Sequence, residues 1–277
     1  MALSVGTNVG ALYAASAAST INIEQDVAMQ RLSTGKRINT SKDDPAGIAI
    51  ASRLTAEYRG LDMAIRNSSD AQALINTAEG AYTEITSLLQ RARELAVQGS
   101  NDTNGANDRT ALRTEITQLM AEVDNIANTT TWAGNNLLNS AYTFTFQIGS
   151  GTGTELTVTM TDSNAVALST NFTSTTLAAL TSHATFQTFV GFVDSALATV
   201  GTARAKLGAY SNRLDSVVRN LTNNSNAIKE GVGRIQDTDY AAETTNLSKT
   251  QILQQASTAM LAQANAAKQG VLALLQG

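Results

Sequence analysis

The sequence predicts a mainly α fold, a long antiparallel helical bundle or coiled coil with a small β-hairpin region and with the N- and C-terminal helices paired. The main observation is an apolar ladder from Phe189 to Ile228, whose members lie alternately four and three residues apart, with Asn224 as its polar member. This spacing keeps one stripe on one side of a helix. A helix of about 40 residues is roughly 60 Å long and cannot bury such a stripe alone. The single proline, Pro45, also agrees with long helices.

The composition excludes several classes of function. The chain has 277 residues, no cysteine and a formal net charge of −4. It therefore has no disulfides, no thiolate catalysis and no cysteine-ligated metal, and its charge argues against binding nucleic acid. No run approaches the roughly 20 apolar residues of a membrane span. Because the first residues lack the pattern of a secretory signal, we expect any export to use a dedicated route.

Both ends of the chain are poor in charge but patterned. No charged side chain precedes Glu24, and Lys268 is the only one from Thr250 onward. The apolar stripes at the two ends consist of Val5, Val9 and Leu12, and of Leu253, Ala256, Met260, Ala264, Ala267, Val271 and Leu274. Stripes at this spacing predict two amphipathic helices.

Two interpretations of these terminal helices are open. They form an ordinary antiparallel pair within one chain, or they become ordered only in an assembly. Ordering the backbone costs about 1–2 kcal/mol per residue. Burying an alanine returns far less than the roughly 1.5–3 kcal/mol of a leucine or valine. The second interpretation is therefore favoured.

Further ladders predict the remaining helices. After the polar connector 31–44, Asp43 or Asp44 is expected to cap a helix that has Pro45 at its first position. Two more stripes alternate between steps of four and three, and a turn-rich loop at 99–107 separates them. Their members are Leu74, Ala78, Ala81, Ile85, Leu88, Ala92 and Leu95, and then Leu112, Ile116, Leu119, Val123 and Ile126.

The pattern changes to a period of two in the middle of the chain. Large apolar residues alternate from Tyr142 to Ile148 and from Leu156 to Met160, and a glycine-rich turn joins the runs. This pattern predicts a β-hairpin, and the segment Asp162–Thr185 is expected to be a surface excursion that holds a short strand or helix. The predicted domains are 1–43 with 237–277, 44–140 with 185–236, and 141–184.

Four blocks of this sequence resemble bacterial flagellin. They are RLSTGKRINTSKDDPAGIAIASRL (Arg31–Leu54), LLQRARELAVQ (Leu88–Gln98), the segment Thr114–Leu138 and the segment Arg234–Gln276. About 40 residues separate the two similar halves, so the chain resembles the short type that lacks large outer domains. The resemblance implies that 1–43 with 237–277 forms the inner coiled coil of the filament. It also implies that 141–184 is a short variable surface insert.

The function implied by the resemblance is that of a structural subunit of the flagellar filament. Such subunits assemble into a helical tube that acts as the propeller for swimming motility, and they are secreted by the flagellar type III export apparatus. The implied partners are other flagellin subunits, an export chaperone, and the filament cap and hook-junction proteins. A host Toll-like receptor is a further implied partner. No enzyme activity, cofactor, nucleic acid or membrane span is implied.

The resemblance also implies two sets of contact residues. The first set, for a neighbouring subunit and the receptor, is Gln90, Arg91, Leu95 and Glu115. The second set, for polymerisation and chaperone binding, is Leu253, Met260, Val271, Leu274 and Leu275. From the residues alone, the first set is equally a solvated helix face with intrahelical ion pairs. The corresponding alternative for the second set is that these residues only line the inner tube of the filament.

The usual signs of catalysis are weak. His183 is the only histidine, so a His-Glu-x-x-His zinc site cannot form. Asp43 and Asp44 stand where helix caps favour acids, and the glycine-rich stretch Gly149–Gly153 lacks the lysine of a phosphate loop. No catalytic, cofactor-binding or metal-binding residue is predicted.

Two alternatives to a filament subunit are open. A hook–filament junction protein shares the terminal helices, but the strength of the Leu88–Gln98 motif argues against it. A coiled-coil signalling rod would lack the charge-poor ends and the hairpin.

Overall fold

The computed structural model describes residues 7–168 and 172–276, with side chains except at 165, 166 and 268–276. The mainly α fold is confirmed, and the N- and C-terminal helices pack against each other as predicted. In chain order the elements are α1 (Val9–Thr34), α2 (Pro45–Gly99), α3 (Ala106–Thr129), β1 (Thr131–Trp132), β2 (Asn135–Asn136), β3 (Thr143–Gln147), β4 (Glu155–Thr159), α4 (Ala165–Leu168), α5 (Ser174–Ala178), α6 (His183–Gln236) and α7 (Tyr240–Gln276).

The chain divides into two compact units. The terminal unit comprises Met1–Glu57 and Ala227–Gly277, and the central unit comprises Tyr58–Asn226. The division cuts α2 and α6, so each of these helices contributes residues to both units. The predicted boundaries at 43/44 and 236/237, and a separate domain at 141–184, stay predictions.

The core of the central unit includes the three predicted ladders on α2, α3 and α6. Leu74, Ile85, Val123 and Phe189 are among the buried members. Each ladder therefore covers the others, because no helix can bury its stripe alone.

The α6 ladder departs from the prediction at its end. Asn224 is exposed, whereas Ser225 is buried and its hydroxyl donates to Asp62 Oδ1 at 2.7 Å. A straight helix has 3.6 residues per turn, so a strict seven-residue repeat drifts by about 20° per heptad. After several heptads the buried position moves on by one residue.

The predicted β-hairpin is confirmed. Strands β3 and β4 pair antiparallel with Phe144 opposite Val158 and Phe146 opposite Leu156, and these four side chains face the core. A second, two-residue hairpin, β1–β2, was not predicted from the sequence. Its turn has positive φ at Ala133 (48°) and Gly134 (83°). Most L-residues rarely adopt this conformation.

The segment after the hairpin packs against the core, so the expectation of a surface excursion is wrong for its apolar residues. The side chains of Leu168, Phe172, Leu177 and Leu180 are buried, and the rings of Phe172 and Phe189 lie 5.4 Å apart. The short helices α4 and α5 contact α3. The free energy of burying apolar surface overrides the polar character of the neighbouring serines and threonines.

A buried tyrosine attaches this segment to α2. The hydroxyl of Tyr82 donates to the carbonyl oxygen of Thr161 at 3.1 Å, and Ser163 Oγ donates to the Tyr82 hydroxyl at 3.0 Å. Burial raises the pKa of Tyr82, and the hydrogen bond from Ser163 offsets part of this rise. The buried hydroxyl is thus hydrogen-bonded, as buried polar groups require.

In the terminal unit, the predicted helix start at Pro45 is confirmed. Asp44 Oδ1 accepts hydrogen bonds from the backbone N–H groups of Ala46 and Gly47 at 3.1 and 2.9 Å. Helix α1 ends at Thr34, and the C-cap residue Gly35 has a φ of 69°, the left-handed conformation that glycine adopts without strain.

The segment after α1 and the segment between α6 and α7 lie side by side in the terminal unit. Arg37 N donates to Gln236 O at 2.6 Å, and Thr238 N donates to Gly35 O at 3.0 Å. Lys36 and Asp237 form the antiparallel bridge between these hydrogen bonds. The segment that follows α1 is therefore hydrogen-bonded to the segment that precedes α7.

Candidate assembly surface

The contact between α1 and α7 runs along small and polar side chains. The buried and half-buried residues of α7 recur at steps of four and three, and alanine dominates the facing stripe of α1. Small residues let two helices approach closely and pack through many weak contacts. The stripes comprise Glu243, Leu247, Thr250, Gln254, Ser257, Leu261 and Ala264 on α7, and Ala11, Ala14, Ala18, Ile21, Gln25, Ala28 and Leu32 on α1.

Hydrogen bonds fix the register of the pair. Ser257 Oγ donates to the carbonyl oxygen of Ala14 at 3.3 Å, and Asn8 Nδ2 donates to the carbonyl oxygen of Ala264 at 3.1 Å. Asn8 also caps α1 by accepting a hydrogen bond from Ala11 N. These contacts specify an antiparallel register that a uniform alanine stripe would leave ambiguous.

The stripes predicted from apolar residues are not the ones that form this contact. On α7, Leu253 and Met260 are exposed, and of the predicted stripe through residue 267 only Ala264 faces α1. On α1, Leu12 is also exposed. The side chains of Val271, Leu274 and Leu275 lie outside the described part.

The terminal unit also presents several large apolar side chains to solvent. Leu12 and Ile23 on α1 are 61% and 63% exposed, and Ile252 and Met260 on α7 are 66% and 64% exposed. No charged side chain lies in 9–23 or 250–267. Several exposed large apolar side chains on two charge-free helix segments make this pair a candidate interaction surface.

A second candidate surface lies in the central unit around Arg91. Its guanidinium donates to Glu115 Oε1 from Nε at 3.2 Å and from Nη2 at 3.0 Å, and Nη1 donates to Glu94 Oε2 at 3.1 Å. The hydrogen bonds to Glu115 first, and then to Glu94, raise the pKa of Arg91. Gln90 is exposed on the same helix. Of the four residues predicted for this contact, Gln90, Arg91 and Glu115 are thus accessible. The ion pair between Arg91 and Glu115 joins α2 to α3.

The fourth residue, Leu95, lies in the core. It is 2% exposed and is part of the α2 ladder, as the sequence pattern indicated. A buried side chain cannot touch a partner directly, so Leu95 supports this part of α2 from inside.

Two further ion pairs in the central unit could not be predicted from the sequence. Arg93 Nε donates to Asp194 Oδ1 at 2.6 Å, which raises the pKa of Arg93, and Arg204 Nη2 donates to Glu79 Oε1 at 2.7 Å. Both pairs join α2 to α6. Because the partners are 101 and 125 residues apart, no local sequence signal could reveal them.

His183 and Asp43, whose side chains are of types that catalysis can use, make structural contacts. His183 is exposed, with Nδ1 against the carbonyl oxygen of Ser100, and Asp43 accepts hydrogen bonds from the connector. Within 7–168 and 172–276, no three His, Cys, Asp or Glu side chains are grouped so as to hold a metal ion. Over the same ranges, no helix has both the length and the apolar character needed to cross a membrane.

Long helices packed along ladders, with apolar faces left open at the paired ends, define a structural protein that associates through helix surfaces. A family model described as the bacterial flagellin N-terminal helical region matches residues 5–143, and the C-terminal helical region of the same family matches residues 190–275. The chain therefore belongs to the bacterial flagellin family, and it is a structural subunit of the flagellar filament.

Similar proteins agree with this assignment. The chain is 44% identical over 257 residues to a flagellin of Halalkalibacterium halodurans, covering 92% of this chain and 94% of that protein. It is 37% identical over 302 residues to flagellin of Bacillus subtilis, covering 98% and 99%. Since both relatives are covered almost completely, the short form of the family fits this chain.

A solved structure supports the fold alone. A putative flagellar hook-associated protein from Vibrio parahaemolyticus is similar to this chain with a TM-score of 0.60 and 14% identity. The match covers 70% of this chain and 100% of that protein. The higher identity to flagellins favours a filament subunit over the hook–filament junction protein considered from the sequence.

Proposed function

We propose that the chain is secreted and assembles outside the cell through the exposed apolar faces of α1 and α7. The observation that carries this proposal is the exposure of Leu12, Ile23, Ile252 and Met260 on helix segments without charge. Covering each such side chain contributes about 1.5–3 kcal/mol when burial is complete. A second copy of the chain supplies the matching apolar face.

The assembly is an open helical tube. The exposed faces of α1 and α7 differ from each other, so contacts between copies are heterologous and need not close. The terminal helices become fully ordered on assembly, because the small and polar stripe between them returns little free energy. Coupling of folding to binding keeps the free subunit from assembling before it is secreted.

An export chaperone covers α7 before secretion. Leu253 and Met260 give this helix an exposed apolar face, and such a surface has to be shielded in the cell. We include Val271, Leu274 and Leu275 in the chaperone site on the family resemblance. The filament cap and hook-junction proteins are proposed as partners at the two ends of the assembly.

The Arg91 surface contacts a neighbouring subunit and the host Toll-like receptor. Arg91 and Glu115 are about half exposed, and Gln90 is exposed beside them. Partly desolvated arginine residues are frequent hot spots of protein interfaces. Leu95 holds the helix in place beneath them. The chain has no enzyme activity in this proposal.

The terminal faces are tested by Ile252→Glu and Met260→Glu. Placing a carboxylate in an apolar interface is costly, so we expect seeded polymerisation to fail while the far-UV circular dichroism of the free subunit is unchanged. Ile252→Leu is the control, because it keeps the apolar area. Normal filaments from both glutamate variants, seen by electron microscopy, would exclude these faces as the contact.

The Arg91 surface is tested with purified monomer and the receptor ectodomain. Arg91→Ala should weaken binding by at least about tenfold. Glu122→Ala removes an exposed carboxylate from α3 outside this cluster and should leave binding unchanged. Equal affinities of the Arg91 variant and the unmodified chain would remove this surface from the proposal.

A further inference from the structure

The loop between α2 and α3 contains the one asparagine–glycine pair of the chain, Asn104–Gly105. An asparagine loses its side-chain amide without an enzyme most readily when glycine follows it. Glycine has no Cβ to obstruct the attack of its backbone nitrogen, and its backbone reaches the conformation that the attack requires. Asn139, which precedes Ser140 in the loop after β2, offers a comparison within the same chain.

The reaction consumes only water. The backbone nitrogen of Gly105 loses its proton to hydroxide and bonds to Asn104 Cγ. The bond from Cγ to Nδ2 breaks, and Nδ2 takes a proton from water and leaves as ammonia. Water then opens the cyclic imide at one of its two carbonyl carbons. Breaking the bond from nitrogen to Cγ gives aspartate, and breaking the bond to the main-chain carbonyl carbon gives isoaspartate.

The structure leaves this pair open to the reaction. Gly105 is exposed and Asn104 is half-buried, and residues 101–108 include no buried residue. Asn104 Nδ2 donates to the carbonyl oxygen of Gln98, and the Gly105 N–H donates to Asp108 Oδ2 at 2.9 Å. A segment without buried apolar contacts opens locally at little cost in free energy. Breaking these two hydrogen bonds is therefore the main barrier that the fold adds.

Asp108 opposes the first step of the reaction. Its carboxylate lies at hydrogen-bond distance from the nitrogen that has to become an anion, and a nearby negative charge disfavours a second one. The charge-assisted hydrogen bond also stabilises the N–H form of Gly105. We infer that Asn104 is the site at which this chain deamidates, and that Asp108 restrains the reaction.

Deamidation changes the contact between the loop and α2. The acceptor of Asn104 Nδ2 is a carbonyl oxygen in the last turn of α2, where the helix dipole places partial negative charge. A carboxylate at position 104 loses the donor and repels this oxygen, so the loop is released from α2. Isoaspartate also lengthens the main chain beside Gly105, the N-cap residue of α3, and displaces the contact with Asp108.

The first experiment locates the site. The full-length free subunit is kept in mildly alkaline buffer and sampled by peptide mass spectrometry, and a methyltransferase specific for isoaspartate detects that product. We expect Asn104 to be converted before every other asparagine, Asn139 included. Gly105→Ala adds a Cβ at a φ of −73°, which alanine adopts without strain, and should slow conversion at Asn104 alone. Conversion of Asn139 ahead of Asn104 would overturn the assignment.

The second experiment tests the restraint. Asp108→Ala should raise the rate of conversion at Asn104 about tenfold, because it removes a charged hydrogen bond from the reacting nitrogen. Asp102→Ala is the matched control, since it removes an exposed carboxylate and its ion pair with Arg109 from the same loop and should change the rate much less. Equal acceleration by both variants would assign the effect to loosening of the loop, and a slower Asp108 variant would make its carboxylate a base. Either result would overturn the restraint.

Both experiments use the free subunit, so their outcome is independent of the proposed assembly.

Discussion

Replacing Phe172 by alanine tests whether the segment after the hairpin belongs to the core. Phe172 is 3% exposed, and its ring packs against Phe189. Removing a buried phenylalanine costs about 3–5 kcal/mol of folding free energy, including the cavity that remains. Part of this is an aromatic contact worth roughly 0.5–1.5 kcal/mol. A surface substitution would change the free energy of unfolding by less than about 0.5 kcal/mol.

The assay is urea unfolding of the full-length free subunit followed by tryptophan fluorescence. Trp132 is the only tryptophan and packs against the core of the central unit. Its signal therefore reports on the unit that contains Phe172. This choice matters because a chain of two units need not unfold in one step. With a slope of about 1–3 kcal/mol per molar urea, the midpoint should fall by at least about 1 M.

Thr175→Ala is the matched control for this experiment. Thr175 is exposed on the neighbouring helix α5, and its substitution should leave the free energy of unfolding within about 0.5 kcal/mol of that of the unmodified chain. If Phe172→Ala and Thr175→Ala have the same midpoint, the segment is a surface excursion and the packing argument fails.

Two further predictions concern polar contacts. Tyr82→Phe removes the buried hydroxyl between Thr161 and Ser163, and should lower the free energy of unfolding by about 1–2 kcal/mol in the same fluorescence assay; an unchanged midpoint would show that the hydroxyl contributes nothing. The backbone N–H of Thr40, and then that of Asn39, lower the pKa of Asp43 from its usual 3.8, so its stabilising effect is present above that pH and is lost as the pH falls through the lower folded value. The stability difference between the unmodified chain and Asp43→Asn should therefore shrink on acidification below about pH 4, and a difference independent of pH would contradict this.

The ladders could be predicted because their signal is dense. On α2, α3 and α6, large apolar residues such as Ile85 and Phe189 recur every three or four positions over many turns. The start of α2 could also be predicted, because Asp44 is a residue type that caps helices and proline is favoured at the first helical position. Both preferences depend only on neighbouring residues. These features require no knowledge of distant contacts.

The face of the terminal pair could not be predicted in the same way. Hydrophobic periodicity assigns Leu253 and Met260 to the buried side, but the pair packs through alanines and through Thr250 and Ser257. Close approach of small residues decides the contact, and hydrophobicity barely distinguishes alanine from its small polar neighbours. Leu253 and Met260 are therefore left on the outside of the pair.

The apolar residues around Phe172 were missed for a different reason. Leu168, Phe172, Leu177 and Leu180 follow neither a helical nor a strand period. Their burial depends on α3 and α6, which are distant in sequence. The contact residues Gln90, Arg91 and Glu115 came from resemblance to a family, because charges on a helix are otherwise an ordinary solvated face.

Helices α1 and α7 stand at opposite ends of the chain, and the hydrogen bond between Asn8 and Ala264 spans 256 residues. During synthesis, α1 is made first and has no partner until nearly all of the chain has followed. Residues 58–226 have their interactions within one contiguous stretch and can form structure during that interval. Closure of the pair between α1 and α7 is therefore a late event in the folding of each molecule.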